Sequence, residues 1–106
     1  MRIMIAAVGR LKDGPERELF QRYWTRTEGL GKKLALSQLS LVEFPESRAG
    51  SAATRRDEEA TKLAGAAVGL RVFVLDEGGR QMSSEAFAAE LRKHRDAGAA
   101  GLAFLI

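Results

Sequence analysis

Four short apolar runs alternate with three stretches of helical periodicity, and that alternation most narrows what the chain can become. The runs are Ile3–Val8, Leu36–Phe44, Arg71–Leu75 and Leu102–Ile106. Strands separated by helices read as βαβ units, and these build a parallel sheet with right-handed crossovers. The expected fold class is therefore α/β, a Rossmann-like parallel sheet. Arg71–Leu75 reads as the clearest buried strand. Leu102–Ile106 is unbroken in apolar character and reads as a strand buried on both faces. In open parallel sheets, ligands sit beyond the carboxyl ends of the strands. The sequence ends on this run, with no polar or turn residue after it. The expectation is a single α/β domain over residues 1–106 that stops after its fourth strand, where a ligand-binding loop should begin.

The punctuation between the runs supports this order. Gly9 closes the first run, and Arg10–Gly14 reads as a loop. Pro15 suits a first helical position, with Asp13 or Gly14 as cap and Glu16 and Glu18 in the first turn. Leu19, Phe20, Tyr23 and Trp24 give this helix two apolar faces, and its end is expected near Thr27, before Gly29 and Gly31. In the second run, Leu39 and Leu41 face one side and Val42 and Phe44 the other. Pro45 ends it. Glu46–Ala53 is a small, polar loop of the kind found around substrates. The second helix is expected over Thr54–Ala67. Its interior is mostly alanine, which buries little area, so thin packing is expected. Asp76–Arg80 reads as a tight turn, and Ser83 or Ser84 as the cap of a third helix with Glu85 at its start. Phe87 and Leu91 mark the inner face of that helix, while Glu90, Arg92, Lys93, Arg95 and Asp96 mark the outer.

Composition excludes several classes of function. The 106 residues hold no cysteine and one histidine, His94. Thiolate zinc sites, disulfide frameworks and the usual nucleophilic triads are therefore not expected, nor is any metal. His94 reads as a surface residue beside Lys93 and Arg95. Asp57, Glu58 and Glu59 read as charges that favour the start of their helix. No segment approaches the roughly 18 apolar residues of a membrane span, and the expected compartment is the cytoplasm.

The formal charge is +3 and unevenly spread. Residues 1–56 hold 11 Lys/Arg against 6 Asp/Glu, and residues 57–106 hold 6 against 8. A basic half can meet a polyanion such as RNA. The candidates lie in or beside loops after strands: Arg10, Lys12, Arg48, Arg55 and Arg56. Tyr23 and Trp24 read either as core or as a subunit interface. Leu75 ends the third strand, on the ligand side of a parallel sheet.

The string Leu75-Asp76-Glu77-Gly78-Gly79-Arg80, followed by Ser83-Ser84-Glu85-Ala86-Phe87-Ala88, resembles a segment of the RlmH family of SPOUT-class methyltransferases. Other pieces fall in the same order. Ile5 to Lys12 is similar to the family's opening strand and turn, and Tyr23 with Arg26 to its Tyr-x-x-Arg helix. Glu43-Phe44-Pro45 is similar to its Glu-x-Pro strand end. Glu58 matches the Glu of its Lys-Glu-Gly helix, with Glu59 in place of the Gly. The resemblance implies the front part of a SPOUT α/β-knot fold and methylation of N3 of a pseudouridine in bacterial large-subunit ribosomal RNA. It implies S-adenosylmethionine as cofactor, with Leu75 touching it, ribosomal RNA or the ribosome as partner, and a homodimer. The family continues for about a further third of its length, through most of the cofactor-binding knot. By the resemblance, the 106 residues alone should be inactive. A rival reading of the residues is a non-catalytic α/β domain that holds RNA or a partner with its basic half.

Overall fold

The computed structural model describes residues 1–36 and 38–106. Its elements are β1 (Arg2–Val8), α1 (Pro15–Gly31), a 3-10 turn (Lys32–Leu34), β2 (Gln38–Phe44), α2 (Ala52–Ala66), β3 (Arg71–Val74), α3 (Ser84–Asp96) and β4 (Gly101–Leu105). All four strands are parallel and lie in the order β2-β1-β4-β3. The expected α/β class and parallel sheet are thus present.

Two layers of helix cover the sheet. On one face Met4, Ala6, Ala103 and Leu105 pack with Ala67, flanked by Val42, Leu63, Ala66 and Leu70. This is the α2 side. On the other face Ile3, Leu102 and Phe104 pack with Ile5, Leu39, Phe73 and Leu91. Here lie α1 and α3. The steps β1→β2 and β3→β4 run in one direction across the sheet, with their helices on one face. The step β2→β3 runs back across it, with α2 on the other. A single crossover hand demands this pairing of direction and face. On the α2 side the packing is between small side chains, so the helix sits close but buries little, as its alanines suggest.

Several expectations are corrected. Arg71–Val74 is not a buried strand but an edge strand, with Val72 44% and Val74 69% exposed. Its apolar sequence resembles that of a central strand, yet α2 packs over β1 and its neighbours and leaves the outer face of β3 open. The fully buried strand is β4, as its sequence implied. Helix α1 runs through Gly29 to Gly31 and does not end near Thr27. Gly31 is required there because a Cβ would lie 2.5 Å from the Leu36 carbonyl oxygen. Strand β2 begins at Gln38; of the two residues expected before it, Leu36 is outside the strand and Ser37 lies outside the described residues. Helix α2 begins at Ala52, because the Ser51 side chain accepts from the Thr54 N–H and caps it earlier than expected. In α3 the cap is Ser83, accepting from the Ala86 N–H.

His94 is also corrected. Its side chain is 14% exposed, and its ring meets Phe73 edge-on at 5.6 Å between centroids. Phe87, Leu91 and His94 stand at i, i+4 and i+7, one stripe of the helix. The inner face of α3 is therefore a residue wider than the apolar residues alone indicated. Glu90 lies 3.6 Å from the imidazole on the same helix.

Candidate functional site

Because all strands are parallel, the loops after β1, β2 and β3 and the end of β4 emerge at one edge of the sheet. Leu75 follows β3 directly and extends its pairing, its N–H donating to the Leu105 carbonyl at 2.9 Å. Ile106 does the same for β4. Its N–H donates to the Ala6 carbonyl, and its carbonyl accepts from the Val8 N–H. The ladder thus holds Leu75 and Ile106 in register at the carboxyl edge.

Leu75 is 52% exposed and stands beside the start of α3. It opens onto two clefts. One, of about 520 Å³, lies between the end of β3 and the start of α3, lined by Leu75, Arg80, Met82, Ser83, Ser84 and Phe87. The other, of about 400 Å³, lies between α1 and α3 above the sheet and is almost wholly apolar, with Trp24, Phe20, Leu91, Phe104, Leu75 and Ile106 among its walls. Ile106 also lines a third cleft, with Gly9, Arg10, Leu11 and Glu43. It therefore stands between the Leu75 end and the Arg10 end of the edge.

The basic candidates divide into groups. Arg10 and Lys12 are exposed in the β1–α1 loop. That loop is fixed by Glu43, whose carboxylate accepts from the Leu11 N–H at 2.8 Å. Arg48 is exposed in the β2–α2 loop. Arg55 and Arg56 sit near the start of α2, which begins at the same edge. Arg56 is exposed, but Arg55 is half-buried and its Nη1 donates to the Ala49 carbonyl at 2.9 Å. The structure thus brings Arg10, Lys12, Arg48, Arg55 and Arg56 to the edge that carries Leu75, on the β1 and β2 side. From Leu75, β1 is two strands away and β2 three, or roughly 10–15 Å at ~4.8 Å per strand.

Tyr23 and Trp24 stand in the middle of α1 and line the apolar cleft onto which Leu75 opens. Trp24 is half-buried against Phe20, ring centroids 5.5 Å apart. Tyr23 is 57% exposed, and the Arg26 guanidinium lies 5.7 Å from its ring. Leu19 and Leu30 on the same helix are exposed as well.

Reading from sequence missed the fixing of the loops by carboxylates. Glu58 and Glu59 do not serve the start of α2. The helix begins two residues earlier than expected, so both lie in its second turn and reach back to Ser47. The signal available was the i, i+3, i+4 spacing of Arg55, Glu58 and Glu59, which places them on one helix face. Among the described residues, no group of three or more His, Asp or Glu could hold a metal ion. Nor is any described helix long and apolar enough to cross a membrane.

A family model described as "Predicted SPOUT methyltransferase" matches residues 1–106. A relative from Bradyrhizobium sp. (strain BTAi1 / ATCC BAA-1182), named ribosomal RNA large subunit methyltransferase H, is 50% identical over the whole of this chain and 67% of its own length. Proteins of the same name from Rhodopseudomonas palustris (strain HaA2) and Methylobacterium sp. (strain 4-46) are each 46% identical over the whole chain, covering 67% and 66% of their lengths. The chain thus spans about two thirds of the length of these relatives. A match along all four strands and their carboxyl-edge loops, at this identity, means that the chain belongs to the SPOUT methyltransferase family, with the ribosomal RNA large subunit methyltransferase H proteins.

Proposed function

We propose that the protein, at its native length, transfers a methyl group from S-adenosylmethionine to N3 of a pseudouridine in bacterial large-subunit ribosomal RNA. The observation that carries this is the layout of one sheet edge. An exposed apolar strand end, Leu75, opens onto a cleft at one side of it, and exposed cations stand on the loops at the other. The names of the relatives supply the reaction class and the RNA. They favour an enzyme over a purely binding domain that would use the same basic loops.

The residues present suit the adenosine end of the cofactor. Leu75, Met82 and Phe87 offer apolar surface of the kind a purine packs against, and Ser83 and Ser84 line the same cleft. When bound, the cofactor supplies an activated methyl group on its sulfonium. The chain's own contribution is orientation: ladder hydrogen bonds fix Leu75 and Ile106, and Glu43 fixes the loop that carries Arg10 and Lys12. Pre-set geometry lowers the entropy cost of bringing two reactants together. The exposed cations would neutralise RNA phosphates and hold the target nucleotide near the edge. A ribosomal RNA substrate supports a cytoplasmic location.

The test is methyl transfer to unmodified large-subunit ribosomal RNA, with cofactor binding followed by calorimetry. Absence of both in the native-length protein would overturn the assignment. Charge reversal at Arg10, Lys12, Arg48 or Arg56 should weaken RNA binding and reduce its salt dependence, by about one unit of slope for each phosphate no longer neutralised. Equal effects from Arg92 and Lys93, on the outer face of α3, would instead indicate unspecific attraction.

The protein is further proposed to be a homodimer through α1. Leu19, Tyr23 and Leu30 are exposed on this helix beside half-buried Trp24, and large aromatics are enriched at the buried centres of interfaces. Trp24→Arg should dissociate the dimer while helical content is kept. Sedimentation of an intact dimer would remove Trp24 from the interface, and loss of folding would place it in the core.

A further inference from the structure

The β2–α2 loop looks unrestrained in sequence, with serine, alanine and glycine after Pro45. In the structure it is tied down on both sides of Arg48. The Ser47 N–H donates to Glu59 Oε2 at 2.9 Å, and the Ser47 hydroxyl donates to the Glu58 carboxylate. On the other side, Arg55 Nη1 donates to the Ala49 carbonyl at 2.9 Å, and the Ala49 N–H donates to Ser47 Oγ at 3.2 Å. Arg55, Glu58 and Glu59 share one face of α2, so the helix grips the loop at residues 47 and 49. Arg48, between them, is exposed and has no ion-pair partner among the described residues. Two carboxylates are thus spent on backbone and hydroxyl groups of the loop, and neither pairs with Arg48.

Resting on the methyltransferase reading above, we propose that Glu58 and Glu59 are positioning residues for the RNA substrate: they clamp the β2–α2 loop so that Arg48 is presented, already ordered, to an RNA phosphate. A loop ordered before binding loses less conformational freedom when the RNA arrives. Arginine suits the role, because its planar donors match a phosphate in two-point contact. The proposal has a consequence opposite in sign to simple electrostatics. Glu58→Ala/Glu59→Ala removes two negative charges from a surface that meets a polyanion. Attraction by net charge alone would make RNA binding tighter. The clamp makes it weaker.

The experiment measures binding of unmodified large-subunit ribosomal RNA to the native-length protein at two salt concentrations. The variants are Arg48→Ala, Glu58→Ala/Glu59→Ala, and all three changes together. The carboxylate pair should weaken binding by roughly three- to tenfold, the scale of one ordinary hydrogen bond. The triple variant should be no weaker than the worse of the two parents, because a free loop no longer presents Arg48. Cofactor affinity and melting temperature should stay near those of the unaltered protein. Should the pair unfold the protein, Ser47→Ala, which removes the hydroxyl's bonds to Glu58 and to the Ala49 N–H but keeps the Ser47 N–H tie to Glu59, should weaken RNA binding in the same direction. Tighter or unchanged RNA binding, or fully additive effects, would overturn the clamp. An unaltered protein that binds no RNA would instead overturn the functional reading on which it rests.

Discussion

Replacing Leu102 by alanine is expected to lower the unfolding free energy by about 2–5 kcal/mol, the range for a large-to-small change in a packed core. Leu102 is 0% exposed and is the largest fully buried side chain among the described residues. It sits on a central strand, paired beside Ile3 on β1 and Arg71 on β3. Few neighbours can move in to fill the space, since both adjoining strands are held by ladder hydrogen bonds. Small domains have only ~5–15 kcal/mol in total, so the loss should show as a large fall in the urea midpoint. Val72→Ala and Val74→Ala, on the exposed edge strand, should cost under about 1 kcal/mol by the same measurement. Equal losses from the two strands would mean that β3, and not β4 alone, is core.

Leu75→Asp should give the largest functional loss. Leu75 is half exposed, so the substitution should leave the melting temperature nearly unchanged. It should nonetheless place a carboxylate against the apolar part of the cofactor. A penalty of ~1–3 kcal/mol is usual for an unpaired polar group in such a place, which is roughly a 5- to 150-fold weaker dissociation constant. Leu75→Met keeps the apolar surface and should retain most of the affinity. Calorimetry on the folded variants separates the outcomes, and unchanged affinity in Leu75→Asp would remove this residue from the cofactor site.

The alternation of runs is enough to read the fold class, and the apolar character of Leu102–Leu105 is enough to read a strand buried on both faces. Strand order is less legible. Arg71–Leu75 and Leu102–Ile106 have nearly the same pattern, yet one is at the edge and the other at the centre. The difference lies in what packs over them, which is a property of the crossovers and not of the strand itself. Leu75 can be assigned to the ligand edge because its place follows from parallel pairing alone. The ties from Glu43, Glu58 and Glu59 have no such signature. An acidic residue near a helix start has several physical uses, and only the actual start of α2 at Ala52 decides among them. His94 reads as surface in sequence because a polar residue rarely completes an apolar stripe; it does so here because the aromatic edge of Phe73 lies opposite.

The position of β4 has a consequence for the order in which the molecule can be built. It is the last element of the chain described, yet it lies between β1, the first, and β3. Arg2 pairs beside Gly101, so the central ladder joins residues almost the full sequence apart. During synthesis, β1, β2 and their helix can associate early. The sheet, however, has no path from β1 to β3 until the segment after Gly98 has left the ribosome. Such distant pairing is slow to close and leaves apolar surface uncovered while it waits. On a growing chain, Ile3, Phe73 and the inner face of α3 would therefore stay partly uncovered until Gly101–Leu105 follows them out of the ribosome.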